Sequence, residues 1–338
     1  MRKHTTSRRH LAILPLLAAI VLMLPACVPT DDSEGPSMPL VPPTETPETP
    51  PVSYYLPQNG AWRLSDDIPT GRVPSALGAV TIEGLGAFTF NPLDVRPLRP
   101  DDFATGHFSV FDVMAHLADE GWFSMEYHYD RLLDTHVIDQ LDGRKDWWYR
   151  AHYAGGWAET NAMRMDLFPY KDGMSIQLST RPEEYVAELY NSFGAEVLRK
   201  SLNLGRVVIP EVRIGTVIYQ NVPVSAHDVR SDVLQSGVVT ALDVLLSLGD
   251  QRRVDAVKLT WYGNLGQATL VDSFYVEQID DGDGVYDSES SPETGGWVYE
   301  MGSLAFSGFQ GNSIRVPADV RIIVSPEYMT WYWIGSPG

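Results

Sequence analysis

Histidines and carboxylates concentrate in one stretch of the chain. His128, His136 and Asp139 lie close together in sequence, and an imidazole beside a carboxylate is a common means of moving a proton or binding zinc. The region from 107 to 152 holds five of the eight histidines: His107, His116, His128, His136 and His152. None has the H-E-x-x-H spacing of a zinc helix, and the sequence contains no G-x-S-x-G, Walker or dinucleotide-binding motif. We therefore expect surface or structural histidines and no catalysis, with an enzyme built on His128, His136 and Asp139 as the alternative.

An acidic loop has the composition of a calcium site. Residues 280–289 read Asp-Asp-Gly-Asp-Gly-Val-Tyr-Asp-Ser-Glu, and Ca²⁺ takes several oxygen ligands from acids that alternate with glycine. The ligands would be Asp280, Asp281, Asp283 and Asp287. Aligning the loop to the EF-hand register puts Ile279 at the first ligand position, and no helix follows. An acidic turn between two strands explains the same composition, so both interpretations stay open.

Aromatic residues give the clearest indication of a binding surface. They form two groups, namely Trp147, Trp148, Tyr149, Tyr153 and Trp157, and later Trp297 and Tyr299. Because side chains alternate along a strand, Trp147 and Trp148 point to opposite faces, and one ring of such a pair should lie outside the core. Exposed rings would form a platform for a glycan, another small molecule or an envelope protein. If the rings instead pack against another part of the chain, the protein is a structural or assembly module without a small-molecule ligand.

Two further acids belong to a repeated pattern. Ser109 stands three positions before Asp112, and in the second half of the chain Thr240 stands three positions before Asp243. Each pair precedes apolar residues at helical spacing, which is the sequence of a capped helix. We therefore expect both acids to cap helices and not to act as a catalytic pair. The interval from Ser109 to Thr240 defines the repeat spacing.

The elements around these helices also occur twice. A strand hairpin precedes each helix and several short strands follow it, and residues 135–142 align with residues 273–280. The order hairpin, helix, antiparallel strands predicts an α+β fold of two tandem β-grasp-like units. The first unit covers 77–181 and the second 207–338, and a helical connector at 182–206 joins them. Three of the expected strands are Met163–Phe168, Ser313–Val316 and Ile322–Val324.

The first 27 residues have the composition of a lipoprotein signal peptide. Basic residues precede an uncharged apolar run from Leu11 to Ala26, which ends in the lipobox-like Leu24-Pro25-Ala26-Cys27. An uncleaved anchor is the alternative, but this run is shorter than the roughly 20 residues that are needed to span a bilayer. Ser7-Arg8-Arg9 also fits a twin-arginine export signal. We expect cleavage before Cys27, a lipid on that cysteine, and an extracytoplasmic, membrane-anchored protein.

A tether follows the signal peptide. Residues 28–52 contain eight prolines, five acids and no Lys or Arg, which is typical of a stiff, self-repelling linker, and we assign 28–76 as tether and lead-in. The chain carries a formal charge of −19, and removal of residues 1–27 takes away four basic residues and no acid, which leaves −23. Nucleic acid is a poor partner for such a chain. Cys27 is the only cysteine, so a disulfide or a cysteine nucleophile in the mature domains is excluded.

The late strands carry a recurrent motif. In the second unit, residues 296–302 form a Trp-x-Tyr strand that leads into a glycine turn; the first unit has Trp148-Tyr149, then Gly155-Gly156, and Asp172-Gly173 before Met174. Together with the acid-capped helix, this order resembles the transcobalamin-like C-terminal domain family, in two copies over about residues 77–180 and 207–334.

The resemblance implies a β-grasp-like fold and a non-catalytic binding or docking role. In the vitamin B12 carriers, this domain closes over the corrinoid against a separate helical-barrel domain. Only residues 182–204 are left over here, and they are too few for such a barrel. We therefore do not expect a corrinoid, and no cofactor other than Ca²⁺ is suggested.

Overall fold

The computed structural model describes residues 53–55, 68–153, 159–160, 162–265, 268–280, 285–286, 295–306 and 316–335. The chain divides into Met1–Thr49, which lies outside the described residues, and a compact body, Pro50–Gly338. Both repeat units therefore belong to one body.

The helices are α1 (Val110–Asp119), α2 (Glu183–Leu202) and α3 (Ala241–Asp250). The strands before α2 are β1 (Ser53–Tyr55), β2 (Gly78–Ile82), β3 (Gly86–Phe90), β4 (Met125–Asp130), β5 (Thr135–Leu141), β6 (Trp147–Tyr153), β7 (Glu159–Thr160) and β8 (Met174–Thr180). The strands after α2 are β9 (Val207–Ile214), β10 (Val217–Val224), β11 (Ala256–Leu265), β12 (Ala268–Asp280), β13 (Val285–Tyr286), β14 (Gly295–Gly302) and β15 (Tyr328–Gly335).

Each unit contains the same mixed sheet. The strand order is β3-β2-β8-β6 in the first unit, with β7 added at the edge, and β10-β9-β15-β14 in the second. The two central strands are parallel in both sheets, β2 with β8 and β9 with β15, and the other pairs are antiparallel. Each unit therefore has a hairpin, a helix and then two strands that return to the same sheet, with the two central strands parallel. This is the β-grasp arrangement, so the predicted α+β fold of two tandem units is confirmed.

A second hairpin follows the helix of each unit. β4 pairs with β5 and β11 pairs with β12, and both pairs carry a β-bulge, between Glu126 and Tyr127 and between Lys258 and Leu259. In the second unit the outer edge of β11 is covered by β1 from the lead-in. The duplicated bulge shows that the repeat extends to local backbone detail, since a bulge is a specific local feature of strand pairing.

The predicted helix caps are present. The Asp112 carboxylate accepts hydrogen bonds from Ser109 N at 2.6 Å and Ser109 Oγ at 2.7 Å, and Asp243 accepts the same two bonds from Thr240 at 2.6 and 2.9 Å. The second oxygen of each acid accepts a backbone N–H from the preceding loop, from Leu98 and His227 respectively. Both acids are buried and serve as structural anchors.

The two units meet about a pseudo-two-fold axis. Phe103 and Leu234, which are separated by the repeat spacing, form an antiparallel bridge. Ala104 N donates to Val233 O at 2.9 Å, and Gln235 N donates to Asp102 O at 3.0 Å. A two-fold rotation that exchanges the two units converts one of these hydrogen bonds into the other. This is the isologous geometry of a symmetric dimer, realised within one chain.

The cores of the two units are joined at this contact. Val233, Leu234 and Val324 of the second unit pack in the same hydrophobic cluster as the core of the first. The connector α2 packs on the first unit through Leu189 and Phe193. No helix of the described residues combines the length and hydrophobicity needed to cross a bilayer.

Two of the predicted strands are wrong. Met163–Phe168 contains a short 3-10 turn at Met165–Leu167, and Ile322–Val324 contributes only a bridge between Ile322 and Thr240. In the first of these the backbone turns to place the buried Asp166 under the β4–β5 hairpin, which a strand would not allow. The third prediction, Ser313–Val316, falls mostly outside the described residues.

Candidate functional site

The aromatic residues predicted to bind a ligand are buried. Trp147 is 2% exposed, Trp148 3%, Tyr149 0%, Trp297 2% and Tyr299 4%, so the prediction of an exposed platform is wrong for these five. The side chains of Tyr153 and Trp157 lie outside the described residues.

The prediction that one tryptophan ring of β6 lies outside the core is wrong because both faces of β6 are covered. Trp147 donates from Nε1 to Arg144 O at 3.0 Å, and the Arg144 guanidinium lies 4.8 Å from its ring. Trp148 on the other face packs against Tyr190 and Phe193 of α2, with ring centroids 6.1 Å apart in each pair. The connector helix thus occupies the position that a ligand was expected to take.

The groove between the units contains a cluster of charged residues. Lys171 of the first unit reaches into the second, where Nζ donates to Val271 O at 2.6 Å and to Ser273 Oγ at 2.8 Å. Arg230 lies beside it and donates to Ser273 Oγ at 3.3 Å and to Asp319 at 2.7 Å. Lys171 and Arg230 therefore share one hydroxyl and join the two units.

The lead-in segment closes this groove. Gly71 N donates to Asp232 at 2.6 Å, and the Arg72 guanidinium binds Asp272 at 2.8 and 3.1 Å. Ser75 N then donates to Asp172 of the first unit at 3.0 Å. Residues 71–75 thus bridge the two units as a strap over Lys171.

Burial changes the pKa values of the groups in this groove. Burial, with a further contribution from Arg230, lowers the pKa of Lys171 to about 8, and the nearby carboxylates Asp319, Asp272 and Asp232 oppose the shift. Burial also lowers the pKa of His107. A lysine with a lowered pKa can act as a base or nucleophile, but here the ammonium is enclosed and hydrogen-bonded.

The space in the groove is too small for an organic ligand. The cavity beside Lys171 holds about 20 Å³ of water-sized space, and a second cavity, lined by Arg164, Arg321 and Val324, holds about 30 Å³. About 10–15 Å³ is required for one water molecule, whereas sites for drug-sized ligands measure about 300–1,000 Å³. These two cavities accommodate water or a small ion.

The three candidates for catalysis, His128, His136 and Asp139, do not form one site. His128 Nδ1 lies 2.8 Å from Asp139, and both side chains are about half exposed. His136 is opposite Tyr129 in the β4–β5 pairing, which places it on the other face of the hairpin from His128. There it contacts Asp166 at 2.9 Å. The three residues therefore do not converge on one site.

Asp166 is the centre of a buried network that the second unit repeats. It accepts hydrogen bonds from His136 N at 2.9 Å and Thr135 Oγ1 at 2.6 Å, and it pairs with Arg99 at 3.4 Å. In the second unit, Asp319 accepts from Phe274 N at 2.9 Å and pairs with Arg230.

The two networks confirm the alignment of residues 135–142 with 273–280. Arg99 Nη1 donates to Asp134 O, and Arg230 Nη1 donates to Asp272 O, both at 2.9 Å. Duplication of the network in both units indicates a structural role. The sequence contains a signal for this duplicated network, since the repeat spacing that separates the two helix caps also separates Arg99 from Arg230.

Most of the acidic loop lies outside the described residues. This holds for Asp281, Asp283 and Asp287. Asp280 ends β12, and its backbone oxygen accepts a hydrogen bond from Asp255 N at 2.7 Å. Within the described ranges, no three His, Cys, Asp or Glu side chains are placed to hold a metal ion.

Comparison with family models, with curated proteins and with solved structures finds no match.

Proposed function

We propose that this protein is a lipid-anchored, extracytoplasmic module that has no catalytic role and that docks an envelope protein. The observation that carries the proposal is the closed groove: the five described aromatic rings are in the cores, and the two cavities described between the units are water-sized. Such a two-unit body offers its outer surface to a partner.

The interface between the units supports this proposal. Lys171 and the strap residue Arg72 tie the units together, and Phe103 and Leu234 connect their backbones. Relative motion of domains is the usual expectation when an interface is small and polar. Here residues of the second unit, including Val233 and Leu234, pack into the hydrophobic core of the first, so a hinge that opens a ligand site is not expected.

The placement at a membrane derives from residues 1–52. The signal-like segment ending in Cys27 and the proline- and acid-rich tether support lipidation and display away from the bilayer. The β-grasp topology is compatible with the transcobalamin-like resemblance, whose docking role agrees with the proposal.

Thermal unfolding of the mature domain, with and without candidate ligands, tests the proposal. We expect no change in Tm with cyanocobalamin, with a panel of glycans or with Ca²⁺, since a bound ligand stabilises the native state in proportion to its occupancy. A saturable increase in Tm with a corrinoid or a glycan would favour a small-molecule binding protein. An increase with Ca²⁺ that disappears in Asp283→Asn would instead assign the acidic loop as a metal site.

The lipid anchor is tested separately. In Cys27→Ser, we expect the protein to leave the membrane fraction, whereas a conservative change in the tether, Ser37→Ala, should leave it there. Membrane retention of the Cys27→Ser protein would contradict lipidation.

The structural alternative, a spacer without a partner, is favoured by the same buried aromatic residues. In-cell photocrosslinking from Trp122 decides between the two, because this ring is 57% exposed. Reproducible capture of one envelope protein supports docking, and capture of none supports a spacer.

A further inference from the structure

The outer edge of β11 in the second unit is occupied by an added strand. β1, which comes from the lead-in before the first unit, runs antiparallel to β11 and pairs with Lys258, Leu259 and Thr260. The β-bulge of β11 lies within this segment, between Lys258 and Leu259. The bulged hairpin that follows the helix of a unit can therefore accept a further strand on this edge.

The equivalent edge in the first unit belongs to β4. Glu126, Tyr127 and His128 take the places of the three β11 residues that pair with β1, because they lie at the same bulge and pair with the equivalent residues of β5. Among the described strands, β4 pairs with β5 alone. The edge of a strand presents a row of backbone N–H and C=O groups that can pair with another chain.

The segment that would mirror β1 in the first unit forms a helix instead. At the repeat spacing, Ser53–Tyr55 corresponds to residues 184–186. These residues belong to α2, which packs on the first unit through Leu189 and Phe193. The described part of the chain therefore fills this edge in the second unit and supplies no strand for it in the first.

The charge of the β4 edge indicates what kind of strand fits it. β4 and β5 carry the acids Glu126, Asp130 and Asp139 and no Lys or Arg. At the place of Glu126, β11 has Lys258, and the strand added there follows a tether that contains acids and no Lys or Arg. The reversed charge at this position disfavours the tether of a second copy and favours a basic segment.

We propose that the outer edge of β4 is the docking site for an extended, basic segment of the envelope partner, which adds to the β4–β5 hairpin as a third strand. Backbone hydrogen bonds to residues 126–128 supply the pairing, as they do where a peptide extends the sheet of a host protein. Lysine or arginine side chains of the segment lie beside Glu126 and Asp139. This inference deepens the proposed docking function and rests on it.

A synthetic peptide in which lysine alternates with valine is a suitable probe, because as a strand it has one basic face. Amide hydrogen exchange of the mature protein is measured with and without this peptide. We expect slower exchange of β4 amides and no change in the β11 residues that already pair with β1. The same peptide with methylated backbone nitrogens is the control, since it keeps the charge and loses the N–H donors of a strand. Equal protection of β4 by both peptides, or by neither, would overturn the proposal.

The variant Glu126→Lys tests the charge complementarity. We expect the affinity for the lysine–valine peptide to fall by roughly tenfold, because an attractive charge pair is replaced by a repulsive one. Glu188→Lys makes the same change at an exposed acid of α2 and should bind the peptide like the wild type. Equal affinity in the two variants would contradict a basic segment at this edge.

The peptide experiment needs no envelope protein, so it separates the edge of β4 from the docking function. An unprotected β4, together with capture of one envelope protein from Trp122, would refute the edge site and leave docking in place. Protection of β4 by the peptide, with no protein captured in cells, would support the edge as a strand acceptor and contradict docking. Protection that grows with the concentration of the protein alone would assign the edge to a second copy and refute the basic segment.

Discussion

Gly121 and Arg252 occupy the same position in the two units, two positions after the last residue of α1 and of α3. Both have a left-handed backbone, with φ of 80° and 55°. Glycine adopts this conformation freely, whereas an L residue with a side chain is strained there. The first unit thus has the favourable residue and the second does not.

Replacing Arg252 with glycine should therefore stabilise the protein. We expect the free energy of unfolding to rise by about 0.5–1 kcal/mol. Glycine removes the strain of the left-handed backbone in the folded state, and the greater flexibility that it gives the unfolded chain offsets part of this gain. Urea denaturation measures the change. The matched control is Gly121→Ala: a Cβ there meets no atom within 4 Å, so its expected loss of about 1 kcal/mol is conformational. A destabilised Arg252→Gly would show that the arginine side chain contributes a contact.

The Arg230–Asp319 pair should be strongly coupled. The two side chains are 1% and 0% exposed and 2.7 Å apart, so Arg230→Met leaves a buried carboxylate without its counter-charge. We expect a loss of about 3–5 kcal/mol, and a smaller loss for the double variant Arg230→Met/Asp319→Leu than for the sum of the single variants. A double-mutant cycle by urea denaturation measures the coupling.

The Arg72–Asp272 pair, whose arginine is exposed, provides the comparison for this cycle. The Arg72 side chain is 56% exposed, and we expect Arg72→Ala to cost at most about 1 kcal/mol. Additive losses for Arg230 and Asp319 would contradict their coupling.

Lys171 should make stability rise at alkaline pH. Below pH 8 its ammonium is charged in both the folded and the unfolded states, and burial of this charge destabilises the folded state. Between pH 8 and 10.5 the folded state has lost the proton while the unfolded state still holds it, so the free energy of unfolding increases with pH. One pKa unit corresponds to about 1.4 kcal/mol, so the increase is on the order of 3 kcal/mol.

The variant Lys171→Met isolates this contribution from other groups that titrate in the same range. We expect the difference in unfolding free energy between wild type and Lys171→Met to change by this amount from pH 7.5 to pH 10.5. A difference that is constant over that range would show that Lys171 keeps an ordinary pKa.

His227 should contribute stability at acidic pH that is lost as the pH rises, the opposite of the Lys171 effect. Burial alone lowers its pKa, but the hydrogen bonds and charges of Asp243 and Asp250 together raise it above its ordinary value of 6.5. Its Nδ1 and Nε2 both lie 2.9 Å from these carboxylates. The stabilisation is therefore complete below pH 6.5 and is lost as pH rises through the folded-state pKa.

Comparison of wild type with His227→Gln by urea denaturation tests this prediction. The destabilisation caused by the substitution should be larger at pH 5.5 than at pH 8.5. His128→Gln is the control, because His128 is half exposed and its exposed pair contributes little. Equal destabilisation at both pH values would contradict a raised pKa.

The sequence predicted features that depend on local patterns. The caps at Ser109 and Thr240 are observed as predicted, because a cap depends on a few neighbouring residues. The β-grasp arrangement followed from the order of elements and from their recurrence at a constant spacing in the two halves of the chain.

The candidate site depended on tertiary contacts, and the prediction was wrong there. No pattern in β6 reveals that α2 covers Trp148, and no motif brings Lys171 to Val271, 100 residues away. The strand predicted at Met163–Phe168 contains Asp166, whose inward hydrogen bonds outweigh the local β propensity.

The bridge between Phe103 and Leu234 has a consequence for how the two units associate. Two separate chains meeting through this symmetric contact would dissociate on dilution. Because a single polypeptide carries both halves, the second half is present at a high effective concentration set by the length of chain between them. The paired arrangement is therefore maintained however few copies of the protein are present, and its stability does not depend on expression level.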